Sequence, residues 1–387
     1  LNSEPVASRP AVASRARTRM IVAAGLLACA AVSGAAYQQF RTTSSAGRIV
    51  GDAPEAEATR AVLRLPARYR ADTSLYGSYL RGLALRFGNR FRESRDTLTA
   101  LVDRAPLYVP GVYGLGHAHA LLAMDGLSDR DLMWPRVDVL ARRALALDSS
   151  AASAWLLLAS RDMHSLGDLS RAGERLLRAR ALDAHDPDVP AMRAVWFRYL
   201  GQMDSAVVES QRAYELEPLS AYFARAFGKQ LYFARDYAEA MALYTRWLRD
   251  DPAWSRVYPD VAYLYLAMGR PRDAAAWFAR VRAAEGDSAA ASALAAPSSD
   301  SAARRLIMTD ARRTLARLEA SVRNGQRPAP QRFAVAYATL QDTARTLQWL
   351  DTLVTQHAYV SQVRVDPLFD FIRADPRYVA WASRNRF

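Results

Sequence analysis

The side chains that most often carry chemistry are few in this sequence, and their spacing does not suit catalysis. Cys29 is the one cysteine, so neither an intrachain disulfide nor a thiolate metal cage can form. His117 and His119 are two residues apart, which on a helix points them in different directions and suits a metal poorly. No phosphate-binding loop, Gly-x-Ser-x-Gly or His-Glu-x-x-His motif occurs. We therefore expect no enzyme activity, no cofactor and no metal. The remaining histidines are isolated, and surface or capping positions are expected for them: His164, His185 and His357.

The net charge of the sequence is strongly positive, and this limits the classes of partner that the chain can attract. The 387 residues carry 52 basic and 39 acidic side chains, a formal net charge of +13, and Lys229 is the one lysine. A chain of this charge attracts acidic protein surfaces, anionic lipids or nucleic acid. Because no nucleic-acid motif occurs, we expect acidic protein surfaces as partners, with anionic lipid as a second possibility beside the membrane segment described below.

A period of 34 residues runs through the middle of the sequence. Small residues recur at this spacing in two registers: Ala194, Gly228 and Ala262, and Ala206, Ala240 and Ala274. Three further residues at the same spacing occupy the expected turn between paired helices: Gly201, Arg235 and Gly269. Small side chains at fixed positions let two helices cross closely, since a larger side chain would push their axes apart. The period therefore predicts repeated pairs of helices.

This pattern resembles the tetratricopeptide repeat over consecutive units at 187–220, 221–254 and 255–288. The resemblance implies an all-α fold, a tetratricopeptide-type α-solenoid of about six to seven helical hairpins that bury their faces against one another. It also implies a groove, lined by the first helix of each unit, that holds peptides or partner helices. Here that groove would be cationic and aromatic, which suits an acidic or aromatic-containing extended segment. The projected groove residues are Met192, Arg198, Tyr199, Tyr222, Arg225, Lys229, Tyr232, Phe233, Arg256, Asp260 and Tyr263.

One uncharged segment near the start, residues 20–37, is long enough for a membrane helix, at about 27 Å against a hydrocarbon core of about 30 Å. We expect an uncleaved transmembrane helix at 20–40; a cleaved signal peptide and a lipoprotein site at Cys29 are the alternatives. More arginines precede the segment than follow it. This asymmetry predicts a single-pass protein of the inner (cytoplasmic) membrane, with its N-terminus inside and its large domain periplasmic. Small residues expected to pack against a neighbouring membrane helix are Ala24, Gly25, Ala28, Ala30, Ala31, Gly34 and Ala35.

The sequence divides into six predicted segments. They are a disordered basic tail (1–19), the transmembrane helix (20–40), a linker with a lead-in helix (41–72), the tetratricopeptide repeat array (73–286), a low-complexity loop (287–303), and C-terminal helical pairs with a cap (304–387). In the last segment, Asp366-Pro367 and Asp375-Pro376 each place an N-capping Asp before a Pro suited to the first helical position. We expect two short helices there, covering the last repeat.

Short motifs such as Tyr79-Leu-Arg-Gly82, Glu217-Pro-Leu-Ser220 and Asp375-Pro-Arg-Tyr378 carry a second resemblance. From residue 76 onwards the chain is similar to the C-terminal half of a bacterial family of membrane-anchored regulators. In that family a cytoplasmic winged-helix or serine/threonine-kinase module precedes one membrane helix and an extracytoplasmic repeat domain. Only nineteen residues precede the apolar segment here, too few for such a module, so the resemblance implies the repeat half without its effector.

These features predict a non-catalytic, single-span scaffold that docks on partner proteins as an accessory subunit and stabilises a larger membrane-protein assembly. A photosynthetic or respiratory complex is the host that analogy suggests. The partners would be other subunits of that complex, held through the groove and the transmembrane helix. Two alternatives stay open: the extracytoplasmic sensor half of a signalling regulator, and a periplasmic assembly or chaperone factor.

Overall fold

The structure is a computed structural model that describes residues 54–124, 128–355 and 360–385, and every regular element in these ranges is a helix. The predicted all-α fold is therefore confirmed for this part of the chain. The predicted tail, the membrane helix at 20–40 and the seven small residues assigned to its packing face lie outside the described residues. None of the described helices is both long and apolar enough to cross a bilayer.

Six helical hairpins follow a lead-in helix, α1 (Pro54–Leu63), and a single turn, α2 (Ala67–Arg70). Each hairpin pairs a helix A with a helix B. In chain order they are hairpin 1, α3 (Thr73–Phe87) and α4 (Phe91–Arg104); hairpin 2, α5 (Val109–Met124) and α6 (Arg130–Leu147); hairpin 3, α7 (Ala152–Arg161) and α8 (Leu169–Leu182); hairpin 4, α9 (Asp188–Tyr199) and α10 (Met203–Leu216); hairpin 5, α11 (Ala221–Ala234) and α12 (Tyr237–Asp250); and hairpin 6, α13 (Tyr258–Ala267) and α14 (Pro271–Ala284).

A second group of helices completes the described chain. After α15 (Ser288–Leu294) and the long α16 (Asp300–Arg323) comes hairpin 7, formed by α17 (Pro330–Thr339) and α18 (Thr343–Thr355). The 3-10 turns Val360–Arg364 and Pro367–Ile372 lead to the last helix, α19 (Pro376–Arg384). The described chain thus contains seven hairpins, at the upper end of the predicted number.

The residues that recur every 34 positions have the structural roles that their size suggests. Ala194 and Ala262 are almost fully buried, and a Cβ added to Gly228 would lie 2.4 Å from the Tyr244 ring of the partner helix. The three predicted turn residues all adopt left-handed backbone, with φ of +75° at Gly201, 70° at Arg235 and +71° at Gly269. The period therefore reports both the helix crossings and the turns between helices.

The stretch 287–303 contains helix α15 and the start of α16, so the predicted low-complexity loop is wrong. A stretch rich in Ala and Ser favours a helix, because Ala has the highest helix propensity of all residues. Asp287 caps α15 by accepting a hydrogen bond from the Ala290 amide at 3.0 Å. Ala290 and Leu294 are buried, and Leu294 packs in the same apolar cluster as Phe278 and Ile307.

The two Asp-Pro pairs near the end of the chain begin the two short helices expected there. Asp366 accepts from the amide of Leu368 at 3.0 Å, and Asp375 accepts from the amide of Arg377 at 2.9 Å. Three large side chains that follow these caps pack in one cluster with the apolar residues of hairpin 7: Phe369, Ile372 and Trp381.

The lead-in helix contacts a hairpin that is far from it in sequence. Glu57, which is 4% exposed, accepts a hydrogen bond from the Ser220 hydroxyl at 2.9 Å, and Ser220 is also the N-cap of α11. Arg64 forms an ion pair with Glu217 at 2.6 Å. The Phe87 ring lies edge-on to Tyr222, with 6.0 Å between ring centroids. These contacts bring the first helices of the described chain against the start of hairpin 5.

Candidate protein-docking site

Four of the projected groove residues lie on one face of α11, at spacings of three, four and three residues. We call them the basic–aromatic stripe: Tyr222, Arg225, Lys229 and Tyr232. Tyr222 is 46% exposed, and the side chains of Arg225 and Lys229 are 35% and 38% exposed. The helix therefore presents two cations and an aromatic ring that are only partly covered by the described chain.

Asp260 of hairpin 6 is held by the two cations of the stripe. The Arg225 guanidinium donates to both carboxylate oxygens, with Nη2 to Oδ1 at 3.3 Å, and Lys229 Nζ lies 3.9 Å from Oδ1. The structure thus brings together three projected groove residues from two consecutive hairpins. The charges of Arg198 and Asp366 also reach Lys229, so three cations face two carboxylates and the cluster keeps an excess positive charge that can attract an anion.

The last residue of the stripe contacts an acidic segment of the same chain. Tyr232 donates its hydroxyl hydrogen to Asp366 Oδ1 at 3.1 Å, and Asp366 is 7% exposed. Burial raises the pKa of Asp366 above its ordinary value. Three residues further along the chain, Arg235 at the C-cap of α11 donates two hydrogen bonds to Asp370, at 2.6 and 2.8 Å. Helix α11 therefore already holds a segment that carries two carboxylates and two phenylalanines, residues 366–372.

Three other projected residues are interior rather than surface groups. Arg198 is 7% exposed, and its guanidinium carbon lies 4.9 Å from the Phe233 ring centroid and 5.4 Å from that of Tyr199. Phe233 and Tyr199 are each 3% exposed. Direct contact between these side chains and a partner would require local rearrangement of hairpins 4 and 5.

The rest of the projected set is half-buried. Met192 lies against Trp196 and Tyr199 on hairpin 4. Tyr263 packs edge-on to Phe278, with 5.3 Å between centroids, and burial raises its pKa. Arg256 lies in the 3-10 turn Ser255–Val257 that precedes α13. The projected groove therefore divides into an accessible stripe on α11 and partly or fully covered flanks.

Of the three histidines expected at surface or capping positions, His185 is exposed, His357 lies outside the described residues, and His164 is buried. His164 is 3% exposed and stacks on Trp134, with 6.2 Å between ring centroids, while the Tyr199 hydroxyl lies 3.2 Å from its Nδ1. The expectation of a surface or capping position is therefore wrong for His164. A π-helical turn, Asp162–Leu166, turns it inward. His117 and His119 have separate neighbours, Arg86 for the first and Met133 for the second. In the described ranges, no three His, Cys, Asp or Glu side chains are grouped to hold a metal.

Sequence reasoning missed the partner of the stripe. The pattern around Asp366 indicates only a helix cap, and the contacts of Asp366 with Tyr232 and of Asp370 with Arg235 span more than 130 residues. The signal available was compositional: the acidic and aromatic residues of 366–372 complement a cationic, aromatic face.

Comparisons with known proteins agree with this architecture. Residues 231–296 match the family model described as the tetratricopeptide repeat. No protein with a curated description matches the sequence. The resemblance to membrane-anchored regulators is not confirmed by these comparisons.

Several solved structures of low sequence identity are similar to the chain. The Cut9–Hcn1 hetero-tetramer of APC/C is 18% identical, with 63% of this chain and 46% of that chain covered and a TM-score of 0.44. The human IFIT1 dimer with m7Gppp-AAAA is 14% identical, with 86% and 75% covered and a TM-score of 0.47. Pseudomonas aeruginosa pilF is 14% identical, with 66% and 97% covered and a TM-score of 0.36. The chain thus spans less than half of the Cut9–Hcn1 chain that it matches.

Proposed function

We propose that this tetratricopeptide-repeat protein is a docking scaffold whose basic–aromatic stripe binds an acidic, aromatic segment of a partner protein. The observation that carries the proposal is the contact between α11 and residues 366–372 of the same chain. Tyr232 and Arg235 bind Asp366 and Asp370, and this intrachain contact supports a carboxylate-bearing segment as the ligand. Tyr222, Arg225 and Lys229 continue the same face, remain partly exposed and carry excess positive charge. Charge-assisted hydrogen bonds and ring packing would hold a second segment of this kind.

The test is fluorescence anisotropy of a labelled peptide of alternating Asp and Phe residues, titrated with the full chain. We expect binding that weakens with salt and that Lys229→Glu weakens about fivefold to tenfold, or about 1 kcal/mol. The matched control is Arg249→Glu, which reverses a charge on the exposed side of α12 and should leave affinity unchanged. Equal binding of a peptide with Lys in place of Asp, or equal loss in both variants, would contradict the proposal.

The host of this scaffold is proposed from the sequence. The apolar segment at 20–40, with small residues suited to close helix packing, supports a single-span accessory subunit of a membrane assembly whose repeat domain lies in the periplasm. Membranes solubilised in mild detergent should then yield a stoichiometric complex on native gels. A monomeric anchored species would favour the sensor alternative, and a mature chain that begins near residue 37 would favour the released assembly factor.

A further inference from the structure

A cavity of about 100 Å³ lies between helices of hairpins 2 to 5. Tyr113 and His117 of α5, Asp188 of α9, and Tyr222 and Gln230 of α11 are among its lining residues. An apolar protein cavity of about 150 Å³ holds a benzene molecule. By proportion, this cavity suits a ligand of about four non-hydrogen atoms.

Gln230 places an unsatisfied hydrogen-bond acceptor at this cavity. Its side chain is 3% exposed, and its Oε1 atom has no hydrogen-bond partner in the part of the chain that the structure describes. A buried carbonyl oxygen left without a donor destabilises the fold, because it has lost its hydrogen bonds to water. A ligand in the cavity with an N–H or O–H group would remove that cost.

Asp188 supplies the charge of the cavity wall. It is the first residue of α9, and within the described residues its carboxylate forms no ion pair. Arg64 is close enough to interact electrostatically with Asp188, but its guanidinium forms an ion pair with Glu217 at 2.6 Å. Burial, and after it the charge of Asp188, raises the pKa of the neighbouring Asp186 to about 7. Arg64 is thus shared among three carboxylates, those of Asp186, Asp188 and Glu217.

The histidine on the wall, His117, is neutral. Arg86 donates to His117 Nδ1 at 2.5 Å, so the His117 ring carries its proton on Nε2. Burial, and after it the charge of Arg86, lowers the pKa of His117 well below its ordinary value. Asp188 is thus the charged group among the lining residues, beside an acceptor and the rings of Tyr113 and Tyr222.

We propose that this cavity binds a small primary ammonium ion, with Asp188 as its counter-ion and Gln230 Oε1 as a hydrogen-bond acceptor. An ammonium group carries one positive charge and three N–H donors, and it therefore matches a wall with one unpaired carboxylate and one unpaired carbonyl oxygen. The two tyrosine rings add the aromatic surface that attracts organic cations. A carboxylate ligand would meet repulsion from Asp188, and a neutral alcohol of the same size would lack the charge. The cavity shares Tyr222 with the basic–aromatic stripe, but Asp188 and Gln230 lie outside the stripe, so the site does not depend on the proposed function.

The test is calorimetric titration of the full chain with n-propylammonium, which has four non-hydrogen atoms, with n-propanol and propionate as neutral and anionic probes of equal or similar size. We expect propylammonium to bind and the other two not to bind. Asp188→Asn should weaken binding at least tenfold and Gln230→Leu several-fold. The matched control is Asp300→Asn, because Asp300 is also the first residue of a helix but lies far along the chain on α16; its affinity should equal that of the wild type.

A second variant keeps the proposal falsifiable if Asp188→Asn fails to fold. Ala226→Leu fills the cavity from α11 and leaves both polar groups in place; it should abolish propylammonium binding. No binding at tens of millimolar, equal binding of propanol, or undiminished binding by a folded Asp188→Asn or Ala226→Leu variant would overturn the proposal. Docking of the Asp-Phe peptide is measured separately and can fail or succeed without affecting this result.

Discussion

Replacing Gly228 with alanine tests how closely the two helices of hairpin 5 must approach. The added Cβ would lie within 2.6 Å of three atoms of Tyr244, a side chain that is 1% exposed and packs against Trp254. Overpacking of a buried ring costs about 1–3 kcal/mol, and so tight a contact belongs at the upper end. Alanine in a helix interior returns about 1 kcal/mol. We therefore expect Gly228→Ala to lower the free energy of unfolding by about 2 kcal/mol.

Gly77→Ala is the matched control, because Gly77 also lies inside a helix A but a Cβ there would meet nothing within 4 Å. It should raise the free energy of unfolding by about 0.5–1 kcal/mol through helix propensity alone. The assay is urea unfolding of the full chain, followed by far-UV circular dichroism and by tryptophan fluorescence. If Gly228→Ala is as stable as the wild type, or is stabilised like the control, the close-crossing interpretation of the 34-residue period is refuted.

Three further predictions concern single side chains. Burial lowers the pKa of His164 to about 3, so below a pH of about 6.5 the unfolded chain binds a proton that the folded chain does not. The free energy of unfolding should therefore fall by about 3 kcal/mol between pH 6.5 and pH 4.5. In a plot of unfolding free energy against pH, His164→Phe should remove this part of the slope. Tyr232→Phe leaves the buried Asp366 short of one donor and should cost about 1–2 kcal/mol, seen as faster hydrogen exchange in 362–373, whereas unchanged exchange there would contradict the contact. Asp287→Ala removes the cap of α15 and should cost about 1 kcal/mol, with exchange accelerated in 288–294 and not in α16.

Features that repeat along the chain were predictable from the sequence, because each copy faces the same packing problem. The positions of Gly201, Arg235 and Gly269 indicated the turns between paired helices, and all three have left-handed backbone. The Asp-Pro pairs likewise indicated the starts of the last two short helices. These are local rules, in which the residue type and its neighbours decide the conformation.

Contacts between distant parts of the chain were not predictable in this way. Nothing in the 34-residue period requires Tyr232 to meet Asp366 or Glu57 to meet Ser220, because these pairs depend on how successive hairpins are rotated. The candidate site was accordingly predicted only in part. The position of the stripe on α11 follows from the repeat, whereas the burial of Arg198 and the segment that already occupies Tyr232 follow from the tertiary arrangement.

The junction between α1 and the start of α11 has an evolutionary consequence. Repeat proteins commonly gain and lose units by duplication and deletion, since each unit touches only its neighbours. In this chain the hydrogen bond from Ser220 to Glu57 joins residues 163 positions apart, with hairpins 1 to 4 between them. Inserting or removing one unit in that interval would displace the Ser220 hydroxyl by a full repeat and remove its hydrogen bond to the buried Glu57 carboxylate. Homologues that retain both residues should therefore all have the same number of units in this interval, whatever their length elsewhere.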